Sequence, residues 1–198
     1  MGPDPLDPPL RVDWLNATEL NDGAPGRLGL TFLPGKHGAS QRYPGRTYRR
    51  DLDRDVATLL DSGVLHLLLL VEDGELERWG DPQIVRRAAN RGLTVDRRPL
   101  ADGSAPRNVE EMDEALEALA SARRDGDVAV ACMGGVGRTG TVAACALVAA
   151  GSPSSDAIAR VREVRHPTAV ETEEQIAFVR AYERHIGERR TRSARLAP

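Results

Sequence analysis

Residues 128–151 read VAVACMGGVGRTGTVAACALVAAG, and the fold follows from how this stretch is parsed. The apolar run at 127–131, DVAVA, predicts a buried strand. Cys132 ends it, and a glycine-rich segment leads to Arg138. From Arg138 to Ala150 an alanine-rich run predicts a helix, stopped by Gly151. Strand, tight loop and helix form the repeating unit of α/β domains. The loop lies at the carboxyl end of a strand and at a helix N-terminus, where such sheets bind ligands.

The flanking sequence repeats the alternation. RLGLTFLPG (27–35) predicts a strand and turn, VLHLLLLV (64–71) a strand buried on both faces, and LTVD (93–96) a short strand. Leu52, Val56, Leu59 and Leu60 share one face of a helix that Gly63 ends. A second helix opens with Asp81 as cap and Pro82 in its first turn, and ends at Gly92. Asn108 and Glu111 have capping-box spacing for a helix to about Arg124. Ser152-Pro153 opens another helix to about Arg165, and Thr172 opens the last, to about His185. These elements predict an α/β fold, a mainly parallel central sheet with helices on both faces. The expected organisation is an extended lead-in over 1–26, packed in part on the domain, one domain over 27–186, and a flexible basic tail over 187–198.

Composition narrows the function. The 198 residues are 40% hydrophobic but only 4% aromatic, so the core must be aliphatic. A net charge of -3 argues against nucleic acid held by bulk positive charge. No apolar run approaches the roughly 18 residues of a membrane span, and the acidic, proline-rich start lacks a secretory signal, so a cytoplasmic protein is expected. Cys132 and Cys145 make no disulfide scaffold, and His37, His66, His166 and His185 have no metal-ligand spacing. Neither a metal nor a cofactor is expected. Lys36 is the only lysine. Lys36, His37, Arg42, Arg46, Arg49 and Arg50 cluster around loop-like sequence and read as a solvated face, with a substrate-phosphate or protein-docking patch as the alternative. Oligomeric state is not legible.

Each part of Cys132-Met133-Gly134-Gly135-Val136-Gly137-Arg138 has a use. A helix N-terminus offers unpaired N–H groups and partial positive charge. Glycines let the backbone curl into an anion nest, and Arg138 can close it with a bidentate fork. The same field favours thiolate at Cys132, a nucleophile for a bound phosphate. A nucleotide loop is the rival. It would need lysine in place of Arg138 and a later strand ending in aspartate to hold magnesium, and neither is present.

CMGGVGRTG resembles the signature of the cysteine-dependent protein tyrosine and dual-specificity phosphatases. LPGKHG, YRRDLDRDVATLLDSGV, EDGEL, RPLADGSAP, AIARVREVR and AVETEEQ extend the resemblance over roughly residues 27–180, in the order seen in the kinase-associated phosphatase group and its bacterial relatives. The resemblance implies a dual-specificity-phosphatase-like fold and hydrolysis of phosphate monoesters through a phosphocysteine on Cys132. Arg138 would bind phosphate with the loop residues Met133 to Gly137, and Thr139 would hydrogen-bond the thiolate. It assigns the general acid to Asp102, in a loop just past a strand end; from the residues alone Asp96, on or at the end of a strand, is the runner-up. Gln175 matches a glutamine that places the hydrolytic water. It also has capping-box spacing with Thr172.

The implied substrate is a phosphorylated protein or a small phosphate ester. Apolar Met133 and Val136 in the loop disfavour polyanionic lipids, and a non-catalytic phosphate-binding module is the alternative. One departure bears on that alternative. Ala131 stands where the family has a histidine that orders the loop and tunes the thiol, so activity is expected to be modest or to peak at higher pH.

Overall fold

The computed structural model describes residues 8–40 and 42–196. In chain order the elements are β1 (Asp13–Leu15), α1 (Ala17–Leu20), β2 (Leu28–Phe32), β3 (His37–Ala39), β4 (Thr47–Arg49), α2 (Leu52–Asp61), β5 (Val64–Leu69), α3 (Asp73–Trp79), α4 (Ile84–Ala89), β6 (Thr94–Arg97), α5 (Val109–Ala122), β7 (Asp127–Cys132), α6 (Gly137–Ala150), α7 (Ser154–Val164) and α8 (Glu173–Leu196). The main sheet has the order β1-β2-β7-β5-β6, and β3 and β4 form a separate two-stranded ribbon. β7 pairs in parallel with β2 on one side and β5 on the other, and β5 pairs in parallel with β6. Only the edge strand β1 is antiparallel.

β7 sits at the centre because both of its faces are apolar. Val128, Val130 and Cys132 face a core shared with α6, α7 and α8, while Ala129 and Ala131 face a second core with α2 and α4. Two buried layers suit a parallel sheet covered on both sides. Asn108 caps α5 as expected, accepting from Glu111 N, and Asp51, a cap not anticipated, accepts from Arg54 N at the start of α2. Asp81 does not cap a helix as expected, because α4 begins only at Ile84, after Gln83. Gly151, at φ 117, ends α6.

Four further expectations change. Residues 13–20 of the lead-in form β1 and α1 rather than an extended arm, because Leu15 and Leu20 are buried in the core; the lead-in's first seven residues lie outside the described ones. The basic segment 36–50 is not loop alone but contains the β3–β4 ribbon. EDGEL begins α3, a helix not anticipated, with Glu72 and Glu75 in capping-box arrangement. The expected flexible tail continues α8 to Leu196, and Arg189 and Arg190 tie that extension to Asp113 and to the Ala149 carbonyl. No helix among the described residues is long and apolar enough to cross a membrane.

Candidate active site

Cys132 is the last residue of β7, and residues 133–136 carry the chain into α6. The carbonyls of this loop are turned outward onto cations. Met133 O accepts from Lys36 Nζ at 3.2 Å, Gly134 O from Arg165 Nη2 at 3.3 Å, and Gly135 O from Arg165 Nε at 2.8 Å. Peptide units are planar and trans, so their N–H groups point away from these cations, and that of Val136 reaches Cys132. Gly135 adopts φ +66, and a Cβ there would lie 2.2 Å from Thr31 O, so glycine is required both for the turn and for the approach to β2.

Burial of the Cys132 thiol works against ionisation, yet its pKa is held below the ordinary thiol value. The Arg138 guanidinium is the main opposing cause, followed by the Thr139 hydroxyl and the N–H groups of Thr139 and Val136. Thr139 Oγ1 is buried and meets no partner at full hydrogen-bond geometry. It is an unspent donor beside a sulfur that would accept from it once charged. Ala131 lies on the opposite face of β7, buried in the second core. The position that carries histidine in the family is thus filled by packing, while charge and donors from α6 lower the thiol pKa without it.

Arg138 is buried and held on three sides. Its Nη1 and Nη2 donate to Glu75 Oε2 and Oε1 at 2.6 and 2.7 Å, a bidentate fork. Nη1 also donates to Leu100 O at 2.8 Å, and Nη2 lies 3.0 Å from Asp102 Oδ1. Breaking a buried pair of this kind costs about 3–5 kcal/mol, because one charge is left uncompensated. The guanidinium therefore cannot swing away from the loop. Glu75 escaped the sequence reading; the one available signal was the capping-box spacing of EDGEL.

Asp102 remains 73% exposed although it touches Arg138. Its loop is tied down next to it. Thr172 Oγ1 donates to Gly103 O at 2.8 Å, Gln175 Nε2 to Ser104 O at 3.1 Å, and Ala105 N to Glu174 Oε1 at 3.2 Å. Gln175 Oε1 accepts from Glu171 N at 2.8 Å and also from Thr172 N. Gln175 is thus fully buried with both ends of its amide engaged, and it packs beneath Gly137. Asp96 stays on β6, where it pairs with Arg98.

These groups enclose a cavity of about 280 Å³ lined by Cys132, Met133, Gly134, Arg138 and Asp102 together with Lys36, Ala39, Arg42, Trp79 and Glu171. Asp96 and Gln175 do not line it. Lys36 and Arg42, expected on a solvated face, do. Burial lowers the Lys36 pKa, partly offset by the facing Cys132 thiol. A larger cavity of about 530 Å³ opens between α1, α5, α6 and α8, lined by residues such as Leu20, Leu119 and Ile186, and includes no residue of the Cys132 loop.

A buried thiol at the mouth of an amide-lined loop, with a fixed guanidinium and a reachable carboxyl, has the parts needed to bind and attack a phosphate monoester. The comparisons with known proteins agree. Rat cyclin-dependent kinase inhibitor 3 (Rattus norvegicus) is 27% identical over 177 residues, covering 88% of this chain and 79% of that protein. The fold matches kinase associated phosphatase, solved with a serine replacing its catalytic-site cysteine, at a TM-score of 0.79 and 23% identity, covering 91% of this chain and 98% of that one. The active form of Tk-PTP matches at a TM-score of 0.64 and 29% identity over 80% of this chain and 92% of its own. A family model described as Swiss Army Knife protein, DSP-PTPase phosphatase domain, matches residues 47–193. Its members are cysteine-based phosphatases that need no metal, and this protein is one of them. The chain belongs to the Swiss Army Knife DSP-PTPase phosphatase domain family.

Proposed function

We propose that the protein hydrolyses phosphate monoesters on phosphorylated proteins, with Cys132 as nucleophile. The observation that carries this reading is the convergence of a thiol of lowered pKa and the Glu75-held Arg138 on one loop of inward N–H groups. The Cys132 thiolate attacks phosphorus in line, forming an S–P bond as the P–O bond to the leaving group breaks. Arg138 and the amides of residues 133–139 bind the equatorial oxygens, where negative charge accumulates.

Asp102 supplies the proton for the leaving oxygen. In the free protein its carboxylate sits against Arg138. A bound phosphate takes over that guanidinium and leaves the Asp102 carboxyl to face the leaving oxygen. In the second step Asp102 accepts a proton from water as the water oxygen attacks phosphorus. The S–P bond then breaks, and inorganic phosphate and thiolate are released.

Thr139 donates its unspent hydroxyl to the thiolate as it leaves phosphorus. Glu75 acts as a positioning residue through Arg138. Gln175, read as the water-placing group, is better supported as a clamp between the Asp102 loop and α8. To place a water it would have to release Ser104 O.

The lowered Cys132 pKa favours catalysis over the non-catalytic phosphate-binding alternative. The test is p-nitrophenyl phosphate hydrolysis in EDTA. Wild type should turn over and Cys132→Ser should not. If wild type and Cys132→Ser are equally inert, yet both bind a phosphate analogue such as vanadate or tungstate, the alternative reading stands. Cytoplasmic location remains part of this proposal, as does a single domain that runs from β1 through α8 rather than over 27–186.

A further inference from the structure

A second cavity of about 260 Å³ adjoins the one over Cys132, and the two share Lys36, Arg42 and Gly134. No carboxylate among the described residues lines it. Its walls are cationic and aromatic, and several of its cations are already committed. Arg50 forks onto Asp55 and also donates to Pro8 O. Arg165 pairs with Asp13 while holding the Gly134 and Gly135 carbonyls. Arg42 pairs with Glu171 and reaches Thr168.

Lys36 and Arg46 differ from these. Among the described residues neither has a carboxylate partner. They are held instead by the Tyr48 ring, with Lys36 Nζ 4.3 Å and the Arg46 guanidinium carbon 4.7 Å from its centroid. Tyr48 is itself buried, so the ring is a fixed platform. Cation–π contact of this kind holds a cation without neutralising it. The pocket therefore carries positive charge with no internal counter-ion among the described residues, beside a loop built for one phosphate. The family match begins at residue 47, so Lys36, Arg42 and Arg46 lie outside the segment it covers.

Resting on the phosphatase reading, we propose that this pocket binds a second anionic side chain of the protein substrate, a phosphorylated residue or a glutamate or aspartate near the scissile phosphate in sequence. Lys36 bridges the two cavities, with its amine on the Met133 carbonyl. Arg46 lines only the second cavity and supplies the discriminating contact. A dianionic phosphate is favoured over a carboxylate because it presents more charge and a third oxygen.

The test measures binding to Cys132→Ser protein, which retains the loop but cannot turn over. Phosphotyrosine and phosphothreonine peptides are compared with versions that add phosphoserine or glutamate one to three residues away. The doubly phosphorylated peptide should bind about tenfold more tightly at low salt, the glutamate peptide should fall between, and the gain should shrink as salt rises. Adding Arg46→Ala, with the melting temperature checked, should erase the gain, and Arg46→Glu should turn it into a penalty.

A gain of only about twofold, as two equivalent phosphates give statistically, overturns the proposal. So does a gain that survives Arg46→Ala. Arg46-dependent binding of inositol bisphosphate that exceeds the best peptide overturns the assignment to a protein substrate. If wild type fails to hydrolyse p-nitrophenyl phosphate, the phosphatase reading falls on its own while the peptide comparison still reads the pocket.

Discussion

Arg138 and Arg46 stand on adjoining cavities, and the protein treats the two guanidiniums in opposite ways. Arg138 is buried and forked onto Glu75, with Leu100 O and Asp102 on the same two terminal nitrogens. Arg46 lies over a tyrosine ring with no carboxylate among the described residues. The first arrangement spends interaction energy within the protein to fix one geometry, which suits a group that must meet a transition state. The second leaves charge available, which suits a group that attracts and sorts ligands. Arg50 sharpens the contrast. It belongs to the same basic segment as Arg46, yet Arg50 and Asp55 are each only 3% exposed and fully paired. Proximity in sequence therefore says little about what these cations do.

The comparison can be broken at several points. The largest expected effect is at the loop itself. Arg138→Lys keeps a charge but loses the fork, and kcat should fall at least about 10²–10³-fold, read on p-nitrophenyl phosphate. If the lysine variant is nearly as active, the fixed fork is not what matters. Asp102→Asn should lower kcat/KM about 10²–10⁴-fold on an alkyl or seryl phosphate, whose leaving oxygen needs a proton, and much less on p-nitrophenyl phosphate. Equal losses on both substrates would remove Asp102 from the acid role.

Arg50→Ala moves stability instead. It strands the buried Asp55 carboxylate, and denaturant unfolding should show a loss of about 3–5 kcal/mol. The same change at Arg46 should stay within about 0.5 kcal/mol, because an exposed cation leaves no buried charge behind. A large loss at Arg46 would mean that it, too, is structural.

Thr139→Ala has the smallest expected effect on rate and the most specific one on pH. Thr139 is one of the groups that hold the Cys132 pKa down. Its removal lets the pKa rise, and thiolate is present only above that pKa. The acidic limb of the kcat/KM profile should therefore move to higher pH, with activity recovered at alkaline pH. An unshifted limb would leave Arg138 and the backbone amides as the only donors that matter. The unaltered protein should show its acidic limb below the ordinary thiol range despite Ala131, contrary to the higher optimum expected from the missing histidine.

The loop was legible in the sequence because its chemistry is local. Cysteine, three glycines and arginine at fixed spacing, between an apolar run and a helix, determine nest, nucleophile and cation within a few residues of backbone. The parallel sheet was legible for the same reason, since strand and helix periods are local patterns. The edge elements β1 and α1, the β3–β4 ribbon and the continuation of α8 were not. Each is short or polar in itself and is held by distant partners, as Leu15 is by the core and Arg189 by Asp113.

The same division runs through the site. The sequence alone determined that residues 132–138 form a glycine-rich loop from β7 into α6 with Cys132 at one end and Arg138 at the other, because that geometry is made by consecutive peptide units. Only the tertiary structure decided which carboxylate holds Arg138, that Gln175 clamps the Asp102 loop, and that Lys36 and Arg42 border the cavity rather than open solvent. Those contacts join residues up to about a hundred positions apart. Ion pairs and hydrogen bonds across such separations leave no spacing to read, since the packing of the sheet, not the order of the chain, brings the partners together.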